Sequence, residues 1–273
     1  MLLMFPLTMA YRMPSAEVPT YHISHLRKFG FGVPEANRAV LHGVDIVQAT
    51  EPDGGGYFIG LKADPPESPI GYRVSFFDRP LLDPPRCSSY CSGASYAALI
   101  TALDLLLTPS RYQLSEEVLE AVRMQEPDGG RREDTVKLYG WWNADGPGSF
   151  YALCGFSQMG IRVSPKDALP GDFCNINWVK GPGHSVVFLG WERTTEGEPG
   201  MRFWSSQAST NGLGDKTVPV SSIAGFVFTR LTAPEKLSAL EPNMKMERMK
   251  VIYDVPERFA PNGGPVTKTP PRG

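Results

Sequence analysis

The residues of this 273-residue chain best placed for covalent chemistry are a cysteine and a histidine. Cys91 stands at the head of an apolar run in "PPRCSSYCSGASYAALITALDLLL", with Cys87 shortly before it. A thiol is a strong nucleophile only as thiolate, and the free N–H groups and partial positive charge at a helix start favour that anion. Gly93 leaves room for another group at the first turn, and the N–H of Cys91 itself can face a developing oxyanion. His184 heads the strand-like run "HSVVFLGW" after the flexible turn "KGPG". A strand fixes an imidazole, whose second nitrogen then needs an orienting acceptor. The next run, "RFWSSQASTNG", offers Gln207, with Ser206 and Asn211 as alternatives. A hairpin between the two runs brings Gln207 beside His184.

Other chemistry-bearing residues have plainer readings. Cys154 and Cys174 sit in apolar patterns and are expected in the core. His22, His25 and His42 read as solvated surface, and Asp172 in "PGD" as a turn acceptor. A zinc site from Cys87, Cys91, Cys174 and His184 lacks a second paired motif of usual ligand spacing, so no metal or cofactor is expected. Cys87 is either free or a redox partner of Cys91.

The elements that must position the pair follow from patterning. Residues 1–86 alternate turn signals with the strand-like runs "GVDIVQAT", "GGYFIGLKA" and "YRVSFFDRPLL", and are expected to form a β-rich extension or subdomain. "PDGGG" between the first two reads as a hairpin loop. "GASYAALITALDLLL" is apolar on nearly every face, a buried helix. "SEEVLEAVRM", with Ser115 as N-cap, is an exposed amphipathic helix. A polar insertion, "QEPDGGRREDTVKLYGWWNADGPG", precedes a further helix at "SFYALCGFSQMG". Then come strands at "GDFCNINWV", "HSVVFLGWER", "MRFWSSQ" and "SIAGFVFTRL", the middle two joined by a hairpin loop at "TTEGEPG". Residues 87–235 are thus expected to form an α+β unit, helices first and then an antiparallel meander. Residues 236–273 read as a Pro-rich, extended or disordered tail.

Composition narrows the partners. Hydrophobic residues make up 41%, charged residues 21%, and the net charge is -2, which gives no case for nucleic acid. No stretch reaches the roughly 20 apolar residues of a membrane helix. "MLLMFPLTMAYR" reads either as the remnant of a secretion signal, implying a secreted or periplasmic protein, or as a first strand.

The runs "YCSGASYAALITAL" and "ALPGDFCNINWVKGPGHSVVFLGW" resemble the "CSG" helix start and the "PGD" strand and His-headed strand of NlpC-like cysteine peptidases and the related CHAP amidases. The resemblance spans roughly residues 87 to 208. It implies a papain-like fold with Cys91 as nucleophile, His184 as general base and acid, and a polar residue on the next strand as third member. It also implies cleavage of amide bonds, chiefly in bacterial cell-wall peptide, with no cofactor. The chain differs in carrying Tyr90 before the cysteine where Asp is usual, and in the long insertion between cysteine and histidine. Tyr90, Ser92, Gly93 and Gly183 are candidates for the substrate cleft, with Trp141, Trp142 and Asn143 entering from the insertion, where Asp145 also lies. Two other readings stay open: the same pair used for protein deamidation, acyl transfer or cleavage of a protein target, and a non-catalytic glycan- or peptide-binding module with a Cys87–Cys91 disulfide.

Overall fold

A computed structural model describes residues 24–57, 59, 74–81, 90–108, 113–123, 137–144, 146–247 and 249–256. Six helices come first: α1 (His25–Phe29), α2 (Glu35–Thr50), α3 (Cys91–Leu106), α4 (Glu116–Val122), α5 (Leu138–Trp142) and α6 (Gly148–Phe150), the last running into a π-helical turn at Tyr151–Phe156. A small hairpin, β1 (Ser75–Phe76) and β2 (Arg79–Pro80), lies between α2 and α3. The main sheet follows: β3 (Gly160–Val163), β4 (Phe173–Trp178), β5 (His184–Arg193), β6 (Pro199–Gln207), β7 (Gly212–Pro219) and β8 (Ile223–Leu231). Its order is β3-β8-β4-β5-β6-β7 and every pair is antiparallel. The class is α+β.

The four predicted strands become β4, β5, β6 and β8. In β5 the period of two sends Val187 and Leu189 into the cluster shared with the helices. The alternate residues Val186 and Phe188 enter a second cluster on the opposite face, with Phe203, Phe226 and Phe228. "TTEGEPG" closes its hairpin through Thr194 and Glu198, whose backbones hydrogen-bond across it. Two strands escape sequence patterning. β3 is short, and β7 ("GLGDKTVP") is a glycine-bearing edge strand with charged positions, a composition that avoids edge-to-edge pairing.

α3 is buried from Ser92 to Ile100 and lies between α2 and the sheet. That position explains why no polar face interrupts it. Gly43 allows the close approach of α2: a Cβ there would stand 2.7 Å from the Ala98 carbonyl oxygen.

The N-terminal expectation needs correcting. "GVDIVQAT" is no strand; it is the second half of α2. Val40, Leu41, Val44 and Val47 recur at helical spacing and are all buried. Burial against α3 outweighs the β preference of their branched side chains. The described part of residues 1–86 is therefore chiefly helical, with β1 and β2 its strands. "PDGGG" has the left-handed glycines expected, Gly54, Gly55 and Gly56, yet Gly55 bridges Gly212 at the head of β7. The first residues, including the candidate signal and His22, lie outside the described residues, as does most of "GGYFIGLKA".

The C-terminal expectation is also revised. Leu237 and Leu240 are buried, Tyr253 packs against the main core, and Asp254 bridges Phe226. The described part of the tail begins in the short 3-10 helix Pro234–Ala239 and is docked through these residues. No helix among the described residues is long and apolar enough to cross a membrane.

Candidate active site

Cys91 is the first residue of α3, with Tyr90 at the N-cap and no side chain capping the helix. It is a free, half-buried thiol. Burial pushes the thiol up, while the N–H groups of Ser185, Ser92 and Cys91 itself act on it in the opposite sense. Ser185 is held in place: its Oγ lies 2.7 Å from Ser95 Oγ and its carbonyl accepts from Ser205 Oγ at 2.7 Å. Ser95 in turn accepts from Trp142 Nε1 at 3.0 Å.

His184 opens β5, opposite Ile176 of β4. Its ring packs edge-on to Phe203 and near Trp178. Burial is the main influence on the imidazole, which is pulled down to about 4; Lys216 adds to the fall and the Gln207 hydrogen bond opposes it. His184 is therefore neutral at neutral pH. Nε2 lies 3.4 Å from Gln207 Oε1. The Gln207 amide nitrogen donates to Thr210 Oγ1 at 2.8 Å and to the Gly214 carbonyl at 3.0 Å.

Cys91 and His184 open onto one cavity of about 190 Å³. No hydrogen bond joins them among the described residues. Tyr90, Ser92, Trp142, Asn143 and Gly183 line the same cavity, and Pro182 joins them from the "KGPG" turn. Its described lining contains no Asp, Glu, Lys or Arg.

Several expected site residues stand elsewhere. Trp141 is fully buried against Tyr151 and Phe156 and takes no part in the cavity, because the helical turn of α5 sends consecutive side chains in different directions. Gly93 is buried in the first turn of α3 and is not among the residues lining the cavity. Ser206 is fully buried in β6, on the face opposite Gln207 by strand alternation. Asn211 occupies an exposed left-handed turn (φ 50) and aims its amide at the Asp53 carbonyl, away from His184. Cys87 and Asp145, and most of the insertion, lie outside the described residues.

Cys174 is fully buried in the second cluster and Cys154 packs at the edge of the first. Asp172 accepts from Leu169 N–H, as a turn residue should, but also forms a two-point ion pair with Arg230 and accepts from Asn37. His42 is exposed.

Sequence reasoning missed three things. Asn175 lines the cavity from β4, opposite Ser185; a polar residue inside the apolar run "FCNINW" was the available signal. Ser185 was legible through alternation, since it must face away from the side of the sheet that His184 takes. His25, expected at the surface, is buried: Nδ1 lies 2.7 Å from Asp45 Oδ1 and Nε2 2.6 Å from Asp215 Oδ1. Its partners come from α2 and β7, which sequence spacing could not connect. His25 borders a larger cavity of about 350 Å³, with Asp215 and Arg202 on the same wall. The three are paired with one another or with Asp45, and no cysteine is in the cavity's described lining. That cluster is a clamp between elements.

The chain matches no family model, no curated protein and no solved structure.

Proposed function

We propose that this chain is a cysteine-dependent amide hydrolase of papain-like architecture, acting by thiolate acyl transfer on a peptide-containing substrate. Bacterial cell-wall peptide is the first substrate class to test, on the strength of the resemblance in the "CSG" and "PGD" runs. The observation that carries the reading is the meeting of Cys91 and His184 on one cavity: a free thiol at the start of α3 and a neutral imidazole oriented by Gln207.

Chemistry follows from these states. Both amide hydrogens of Gln207 are engaged elsewhere, so its Oε1 accepts from His184 and the proton resides on Nε2. Nδ1 is left as the base. It takes the thiol proton as Sγ bonds to the amide carbon and the carbonyl becomes an oxyanion. The same proton then passes to the leaving amine as the C–N bond breaks. Water, deprotonated by Nδ1, releases the acyl group and restores the thiol. In the resting state the thiol and imidazole are neutral and apart; bound substrate brings them into hydrogen-bond reach, as is common for catalytic pairs.

The raised thiol and the missing Cys91–His184 hydrogen bond favour, as a second reading, a peptide- or glycan-binding module. Digestion of purified peptidoglycan fragments decides. New free amines released by the wild type and lost in Cys91→Ala, with a native circular dichroism spectrum, support the hydrolase. Release of ammonia instead assigns the pair to deamidation. Turnover surviving in Cys91→Ala removes the nucleophile, and retention of fragments without turnover supports the module.

A further inference from the structure

Acyl transfer at Cys91 needs a second donor for the oxyanion besides the Cys91 N–H, and we infer that Asn143 supplies it through its side-chain amide. This rests on the reading of Cys91 as nucleophile. Ser92 Oγ donates to Asn143 Oδ1 at 2.6 Å, and Tyr139 OH stands 3.3 Å from the same serine oxygen. The amide is thereby fixed with its oxygen turned to the residue next to Cys91. Its nitrogen has no hydrogen-bond partner among the described residues and is not a buried unpaired atom, so it stands open to the cavity. The backbone is fixed too, because Asn143 N–H donates to the Tyr139 carbonyl at 2.8 Å.

The arrangement is preorganised: a neutral N–H donor on the same cavity as the attacking thiol, whose described lining carries no formal charge, oriented before any substrate arrives. Asn175 is the rival. Its Oδ1 accepts from the N–H and the Oγ of Ser149, which also leaves its amide nitrogen facing the cavity. It stands on β4, whereas Asn143 is bonded to the turn that bears the thiol. Asn143 is therefore the oxyanion donor, and Asn175 is left to meet a more distant part of the substrate.

Two reagents separate the role. With p-nitrophenyl acetate, Sγ bonds to the ester carbon through an oxyanion, p-nitrophenolate leaves with the C–O electron pair, and Nδ1 of His184 takes the thiol proton. With iodoacetamide, Sγ displaces iodide at a saturated carbon and no oxyanion forms. Rates for both are read at Cys91 by mass spectrometry in the full chain, in wild type, Asn143→Ala and Asn175→Ala. Asn143→Ala should slow acetylation about 100-fold, the usual effect of one oxyanion donor, and leave iodoacetamide alkylation within about twofold. Equal slowing with both reagents, or no slowing with either, overturns the assignment to Asn143 while the nucleophile stands. Selective loss in Asn175→Ala alone moves the role to Asn175. A wild-type Cys91 that takes neither reagent overturns the nucleophile reading itself, and this inference with it.

Discussion

His184 and Gln207 meet across the β5–β6 pair, Nε2 to Oε1 at 3.4 Å, and the glutamine amide is locked from behind by Thr210 and the Gly214 carbonyl. The lock decides the histidine tautomer, because a glutamine whose N–H groups are both engaged presents an acceptor and nothing else. Gln207→Ala should lower turnover about tenfold, the kinetic equivalent of one ordinary hydrogen bond of about 1 to 1.5 kcal/mol. Gln207→Glu should keep the acceptor and raise the histidine pKa, which shifts the acid limb of the pH–rate profile upward. A profile indifferent to both substitutions would remove Gln207 from the site.

The resting thiol is held neutral by burial and the imidazole is depressed to about 4, so no thiolate–imidazolium pair exists at neutral pH. Alkylation of Cys91 by iodoacetamide should therefore climb steadily from pH 5 to pH 10 with no plateau on the acid side. A rate already high and flat below pH 7 would show a preformed ion pair. The expectation is tested by mass spectrometry at Cys91, with His184→Ala as comparison.

His184 also couples stability to pH. Its folded pKa lies below the unfolded value of about 6.5, so the unfolded chain binds the extra proton first. Its contribution is complete above pH 6.5 and is lost as pH falls toward 4. Denaturant titrations should show a decline over that window that is smaller in His184→Gln.

His25 works in the opposite sense. Burial pulls its imidazole down, but the hydrogen bonds and charges of Asp215 and Asp45 prevail and raise it to about 9. Stability from this clamp is complete below pH 6.5 and is lost as pH rises through 9. His25→Phe should cost a few kcal/mol at pH 6 and much less at pH 10. Equal losses at both values would mean that the charge of His25 adds nothing to the clamp.

Asp172 is fully buried and carries a two-point ion pair with Arg230, a hydrogen bond from Asn37 of α2 and one from Leu169. It ties the turn before β4 to β8 and α2. Asp172→Ala leaves Arg230 without its partner and should cost about 3 to 5 kcal/mol, as removal of one member of a buried pair does. Calorimetry should then show a melting temperature lower by about ten degrees. A change of a degree or two would place the charge in effective contact with water.

The sequence by itself determined the two ends of the candidate site. A run apolar on every side after Cys91 has to be a buried helix, and an alternating run after His184 has to be a strand; both carry their reactive residue at the terminus, where local patterning is read most directly. The hairpin "TTEGEPG" then delivered Gln207 to His184, since register follows from a short connection. Local patterns went wrong where distant packing decides. Val44 and Val47 have strand-forming side chains but sit in α2 because α3 covers them. His25 looks like a surface residue until Asp45 and Asp215 close on it from α2 and β7. Trp141 and Trp142, adjacent in the chain, part company in α5: both are buried in the core, but only Trp142 reaches the cavity. Asn143 was a cleft candidate from the insertion, but tertiary structure alone brought Asn175 of β4 to the same cavity. Spacing encodes what repeats along one element, whereas a site gathered from a helix start, an insertion and two strands depends on how those elements pack.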